Sequence, residues 1–93
     1  MFYNIIIEPE AFLDLLNIKT YITDQDTQSK ANKFISELRN TIKTLNEMPQ
    51  RCRKSYYNDD ENTYDLIYKK YTIVFKIIDT KVHVLTIFKQ RVY

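Results

Sequence analysis

The run from Tyr71 to Ile78 constrains this chain more than any other stretch. Tyr71, Ile73, Phe75 and Ile77 fall on one side of an extended backbone, and Thr72, Val74, Lys76 and Ile78 fall on the other. Apolar residues on both sides suit a strand in the middle of a sheet. Residues 64–68 and 82–88 are also rich in β-branched and aromatic side chains, so each predicts a further strand. Lys69-Lys70 and Asp79-Thr80-Lys81 are short enough to reverse the chain, which makes the three runs an antiparallel meander whose second face is either wet or covered. A short basic tail of Lys89, Gln90, Arg91, Val92 and Tyr93 follows.

Upstream, residues 2–7 predict a strand that is stopped by Glu8-Pro9 and can add to the sheet edge. From there the period changes. Ala11, Phe12, Leu15, Ile18 and Ile22 recur at helical spacing, with Pro9 in the first turn, which predicts a helix over 10–23. Asp24, Gln25, Asp26 and Thr27 supply a turn and an N-cap. A second helix over 28–48 follows, with the stripe Ala31, Phe34, Ile35, Leu38, Ile42 and Leu45, and it ends at Pro49. Lys30, Lys33, Glu37, Arg39 and Lys43 lie largely off that stripe. Neither helix buries its stripe without another surface, and the sheet supplies one. The expectation is a single α+β domain over residues 1–93: an N-terminal strand, then an antiparallel helix hairpin packed on a C-terminal antiparallel sheet.

Composition narrows the chemistry. The 93 residues include no glycine, so neither a phosphate-cradling loop, a dinucleotide fingerprint nor a G-x-S-x-G elbow can be present. No cofactor is expected. The lone Cys52 can form no internal disulfide and no cysteine-based metal cluster, which agrees with a reducing compartment. No signal-peptide core or spanning apolar run is evident, so the expected location is the cytoplasm, away from membranes. A net charge of +2 does not announce nucleic-acid binding, and no sequence-specific DNA contact by this chain alone is expected.

Charge collects in two places. Arg51, Arg53 and Lys54 lie in the non-periodic segment between Pro49 and Tyr64, ahead of the acidic Asp59, Asp60 and Glu61; they are either target contacts or a solvated loop. Lys89 and Arg91, with Tyr93, form either a target-contacting edge or a solvated tail. His83 suits an acid or base near neutrality, although no carboxylate partner is near it in sequence. Cys52 is reactive only if its basic neighbours lower its pKa. The eight tyrosines and five phenylalanines can stack on bases, but Tyr71 and Phe75 fit core positions better.

The order of these elements resembles the RelE/ParE superfamily of bacterial toxins from type II toxin-antitoxin modules (β-α-α-β-β-β). Ile7-Glu8-Pro9-Glu10-Ala11 is similar to the family's strand-to-helix junction. Met48-Pro49-Gln50-Arg51-Cys52-Arg53 is similar to its F-P-x-x-G-R element, with Cys52 at the glycine position. Lys70-Tyr71-Thr72-Ile73-Val74-Phe75-Lys76-Ile77 resembles its G-x-Y-R-I-x-Y-R strand, and Phe88-Lys89-Gln90-Arg91 its closing basic element. The resemblance implies a growth-inhibiting toxin neutralised by a cognate antitoxin, with two mechanisms open. ParE-like members inhibit DNA gyrase by binding, a reading slightly favoured by the segment from Pro49 to Arg53. RelE-like members are ribosome-dependent mRNA endonucleases, and in that case Arg91, Tyr93 and His83 are the catalytic candidates. Against this, Thr63, Asp65, Ile67 and Thr72 stand where RelE-like cations are expected, and Tyr64, Ile67 and Thr72 where ParE-like arginines are. An inactive interacting relative is a third reading.

Overall fold

The computed structural model describes residues 2–56 and 60–89. The predicted site residues Arg91 and Tyr93 lie outside them, as does Asp59. Strand β1 (Asn4–Ile7) leads into helix α1 (Pro9–Gln25), helix α2 (Gln28–Lys43), a two-residue strand β2 (Arg53–Lys54), and strands β3 (Thr63–Tyr68), β4 (Tyr71–Ile78) and β5 (Lys81–Lys89). The sheet order is β1-β5-β4-β3-β2. The meander is antiparallel as expected, while β1 adds parallel to β5, so the sheet is mixed.

The junction between β1 and α1 needs no linker. Glu8 is still extended and donates its amide to Val84 O at 3.0 Å, and Pro9 opens the helix at a position where a missing N–H costs nothing. Thr27 caps α2 by accepting from the Lys30 amide at 3.1 Å. The hairpin then lays one apolar face on β4 and β5. Phe75, Ile73, Val82, Val84, Leu38, Ile42 and Leu45 are fully buried there, with Ala11 and Leu15 above them.

Three expectations from the sequence need correcting. Helix α2 stops at Lys43 instead of Met48 and tightens into a 3₁₀ turn, Thr44–Asn46. The N-terminus competes for the backbone: Tyr3 donates its amide to Asn46 O at 2.8 Å, and Phe2 bridges to Glu47. Met48 then turns left-handed (φ 47°) just before Pro49, which opens a second short 3₁₀ turn, Pro49–Arg51. The segment from Pro49 to Tyr64 is not all loop, because Arg53 and Lys54 pair with Asp65 and Tyr64. Two residues are too few to leave a periodic signal. Phe12, counted with the first helix's stripe, is 48% exposed; it sits a full helical step from Ala11, and the core face is Ala11, Leu15 and Ile18.

One irregularity organises the C-terminal half. Val74 pairs with Thr86 but Phe75 pairs with Val84, so Leu85 is an extra residue, a β-bulge. It resets the alternation of β5, so that Val82, Val84 and Ile87 all reach the same core. Strand β1 covers β5 only as far as Val84. Beyond it the edge is closed by Asp14 of α1, whose Oδ2 accepts the Ile87 amide at 2.9 Å and the Thr86 hydroxyl at 2.8 Å. Asp14→Ala should lower the unfolding free energy by about 2 kcal/mol by leaving that amide unpaired, and Thr86→Val by only about 1 kcal/mol. Urea titration of both variants checks this ordering.

Candidate functional site

The basic residues of the segment after α2 are largely engaged inside the molecule. The Arg51 guanidinium donates through Nη1 to the carbonyls of Glu47 (3.1 Å), Met48 (3.3 Å) and Thr44 (3.5 Å), and through Nη2 to Thr44 Oγ1 (3.0 Å). It therefore ties together carbonyls of the turn that follows α2, of which Thr44 O and Met48 O also accept the amides of Glu47 and Arg51. Arg53 lies 3.5 Å from the carboxylate of Asp65, whose side chain is fully buried, and packs over the Tyr56 ring at 4.2 Å. Asp65 also accepts the Tyr56 amide at 3.3 Å. Lys54 donates to the Glu61 carbonyl and, at 3.1 Å, to the Tyr64 hydroxyl. Each cation stays partly accessible but is held in place. Cys52 is half-buried, and burial pushes its thiol up against the opposing charge of Arg51, which favours the unreactive form.

His83 has the carboxylate partner that its sequence neighbours do not supply. Parallel pairing of β1 with β5 sets Ile6 beside His83, and Glu8 follows at the junction. Glu8 Oε1 lies 2.7 Å from His83 Nδ1, with the side chains 36% and 21% exposed. With the carboxylate ionised, the imidazole N–H is the donor. The separation of 75 residues hid this pair from the sequence. His83 also sits opposite Lys76, which pairs with Asp60 at 2.6 Å.

Lys89 is elsewhere. It stands opposite Tyr71 at the other end of the sheet, and the bulge turns it to the helix side, 6.0 Å from the Tyr21 ring. Six residues of strand separate it from His83, roughly 20 Å along the chain. Lys89, Tyr21, Tyr71, Asn17, Ile18, Ile87 and Asp14 line a groove of about 260 Å³. Burial and the neighbouring Tyr21 push the Tyr71 phenol up. Arg51, Arg53 and Lys54 lie near the opposite sheet edge, so the predicted basic set is divided between two regions.

The face of the sheet turned away from the helices has its own buried polar residues. Thr63, Asp65 and Thr72 are 0%, 2% and 0% exposed, with Val74 beside them. Thr63 Oγ1, Thr72 Oγ1 and Asp65 Oδ1 have no hydrogen-bond partner among the described residues. No group of acidic, cysteine and histidine side chains suited to holding a metal ion occurs among those residues. No described helix is long and apolar enough to cross a membrane.

Over residues 5–92 the chain matches the family described as the ParE toxin of the type II toxin-antitoxin system parDE. Its fold is similar to that of a chain from the chromosomal ParDE toxin-antitoxin system of P. aeruginosa, with a TM-score of 0.84 and 14% identity, covering 97% of this chain and 98% of that one. It is also similar to a chain of the toxin-antitoxin complex RelBE2 from Mycobacterium tuberculosis, with a TM-score of 0.73 and 16% identity, covering 97% and 93%. No curated protein sequence matches.

Two outcomes are expected from these contacts. Arg51→Ala should destabilise the fold by about 1–2 kcal/mol in denaturant titration, because several carbonyls lose a charged donor. Glu37 is held below the usual carboxylate range, chiefly by the Tyr68 hydroxyl at 2.9 Å and then by Lys69; Asp60 is held down by Lys76 and by the Asn62 amide. Both folded-state values are depressed, so their stabilisation is present above the unfolded pKa and is lost as pH falls through the folded one. Glu37→Gln with Asp60→Asn should flatten the fall in melting temperature between roughly pH 5 and pH 3.

Proposed function

The chain belongs to the ParE toxin family, the toxins of type II toxin-antitoxin systems, and from that membership we propose that it stops growth by binding DNA gyrase, not by cutting mRNA. The observation that carries this reading is the content of the helix-free sheet face. Where the resemblance to RelE-like nucleases calls for cations around a scissile phosphate, this chain has Thr63, Asp65 and Thr72, all buried. The Asp65 carboxylate there already engages Arg53, so that arginine is not free to converge on a phosphate. His83 and Lys89 stand at opposite ends of the sheet, and so do not share one phosphate.

A second reading has one specific observation in its favour. Glu8 and His83 form a partly exposed carboxylate–imidazole pair, the arrangement by which an oriented general base takes a proton from a hydroxyl. On that reading the chain is an mRNA endonuclease with Arg91 and Tyr93 as further catalytic groups. In either case a cognate antitoxin neutralises it; both similar structures are toxin-antitoxin systems. The cytoplasm, where both targets reside, is the site of action.

Pulse labelling after induction in a bacterial host separates the two readings. The gyrase reading expects DNA synthesis to collapse before protein synthesis, the purified chain to inhibit supercoiling by gyrase, and His83→Ala to remain toxic. Early loss of translation with DNA synthesis spared, together with a harmless His83→Ala, would reverse the assignment in favour of cleavage.

A further inference from the structure

We infer that the groove between α2 and the turn joining β3 to β4 binds a phosphate group, held by the ammonium groups of Lys30, Lys33 and Lys69 beside the ring of Phe34. Neither mechanism considered above uses this place. It lies at the end of the sheet opposite the Glu8–His83 pair, since Tyr68 and Tyr71 flank the turn and Tyr71 pairs with Lys89. With Glu37 as the remaining wall it encloses about 210 Å³, room for a phosphate group and part of what it is attached to. Two lysines three apart share one helix face and repel each other. Lys30 is balanced one turn back by Asp26 at 3.2 Å, but Lys33 has no salt-bridge partner among the described residues. Its neighbour at i+4, Glu37, is already engaged: Oε2 accepts the Tyr68 hydroxyl at 2.9 Å and the Lys69 ammonium at 3.4 Å. Three ammonium groups therefore line the groove against one carboxylate.

The turn supplies a second, independent observation. Lys69 has a left-handed backbone (φ 54°), in a chain with no glycine to place there. Asp79 does the same in the next turn, where a short polar side chain offsets the cost by bonding its own backbone; a lysine has no such compensation. The conformation brings Lys69 Nζ to 5.6 Å from the Phe34 ring and 5.4 Å from the Tyr68 ring, at the mouth of the groove. Strained backbone that aims a charged side chain into a concavity is found at ligand clamps. The donor type selects the ligand. Ammonium groups on flexible stems can converge on the three terminal oxygens of a phosphate, whereas the planar arginine fork that suits a carboxylate is not among the lining residues. Phe34 closes one side to water, which strengthens the attraction. The lack of glycine removes sites that cradle phosphate with backbone amides, but a site built from lysines needs none. A nucleic-acid duplex fits poorly, because its regularly spaced phosphates need an extended basic stripe and Asp26 and Glu37 interrupt this one.

Isothermal titration calorimetry of the full chain with inorganic pyrophosphate, and separately with ADP, tests the site, with sodium chloride of matched ionic strength as the blank. Saturable binding that weakens as salt rises is expected. Lys33→Gln, which removes no salt bridge, should weaken pyrophosphate binding about 5-fold, and Lys33→Gln/Lys69→Gln at least 10-fold; Lys33→Arg keeps the charge and should stay within about 2-fold of the wild type. Lys43→Gln on the same helix and Lys70→Gln in the same turn lie outside the lining and should bind as the wild type does. Equal affinity for the two probes supports recognition of the phosphates alone, and tighter binding of ADP supports a nucleotide in the same groove. Lys69 also bridges Glu37, so if the double variant loses its circular dichroism signature, Lys33→Gln alone decides. No saturable heat from either probe at about 10 mM, or wild-type affinity in folded Lys33→Gln, overturns the site.

Discussion

The pairing of β4 with β5, and the one extra residue that interrupts it, is the constraint on which most of this molecule depends. Without Leu85 as a bulge, strict alternation from Val82 would turn Ile87 away from the core and Lys89 away from α1. With it, three apolar residues of β5 enter one core and the last lysine of the strand joins Tyr21 and Tyr71 in a groove. The same stretch of β5 runs past the end of β1 and would leave an open edge. The Asp14 carboxylate closes that edge by accepting a backbone amide and a hydroxyl, which ties the first helix to the last strand across more than seventy residues of sequence.

Several of the basic side chains in this protein hold the fold. Arg51, Arg53 and Lys54 look alike in sequence but have separate structural duties: satisfying carbonyls, pairing with a buried carboxylate, and packing on a tyrosine ring. A charged group with several internal partners has less to offer an external one, because each new contact competes with one already made. Lys89 is the contrasting case. It is exposed, with the Tyr21 ring 6.0 Å away and no salt-bridge partner among the described residues.

At 14% and 16% identity the similar chains from toxin-antitoxin systems share this fold with few of its side chains. A common fold can therefore carry different surface chemistry, and function has to be argued from the residues a site presents. Here that face buries hydroxyls and a carboxylate at its centre, with the Glu8–His83 pair at one end. Binding and hydrolysis make opposite demands on such a face: an interface tolerates dispersed charge, whereas a cleavage site needs cations converging on one phosphate.

What the sequence determined by itself was local. Alternation marked Tyr71–Ile78 as a central strand, a helical stripe marked α2, Pro9 and Pro49 set a beginning and a limit, and the absence of glycine removed whole classes of nucleotide site. Tertiary structure decided everything that depended on distant pairing. The parallel docking of β1 brought Glu8 to His83, the N-terminus cut α2 short, and a two-residue strand formed where no period could be seen. The bulge decided which way Lys89 faces. Periodicity reports only a segment's own geometry, while register, edge closure and ion pairing are set by partners that the chain meets only after it has folded.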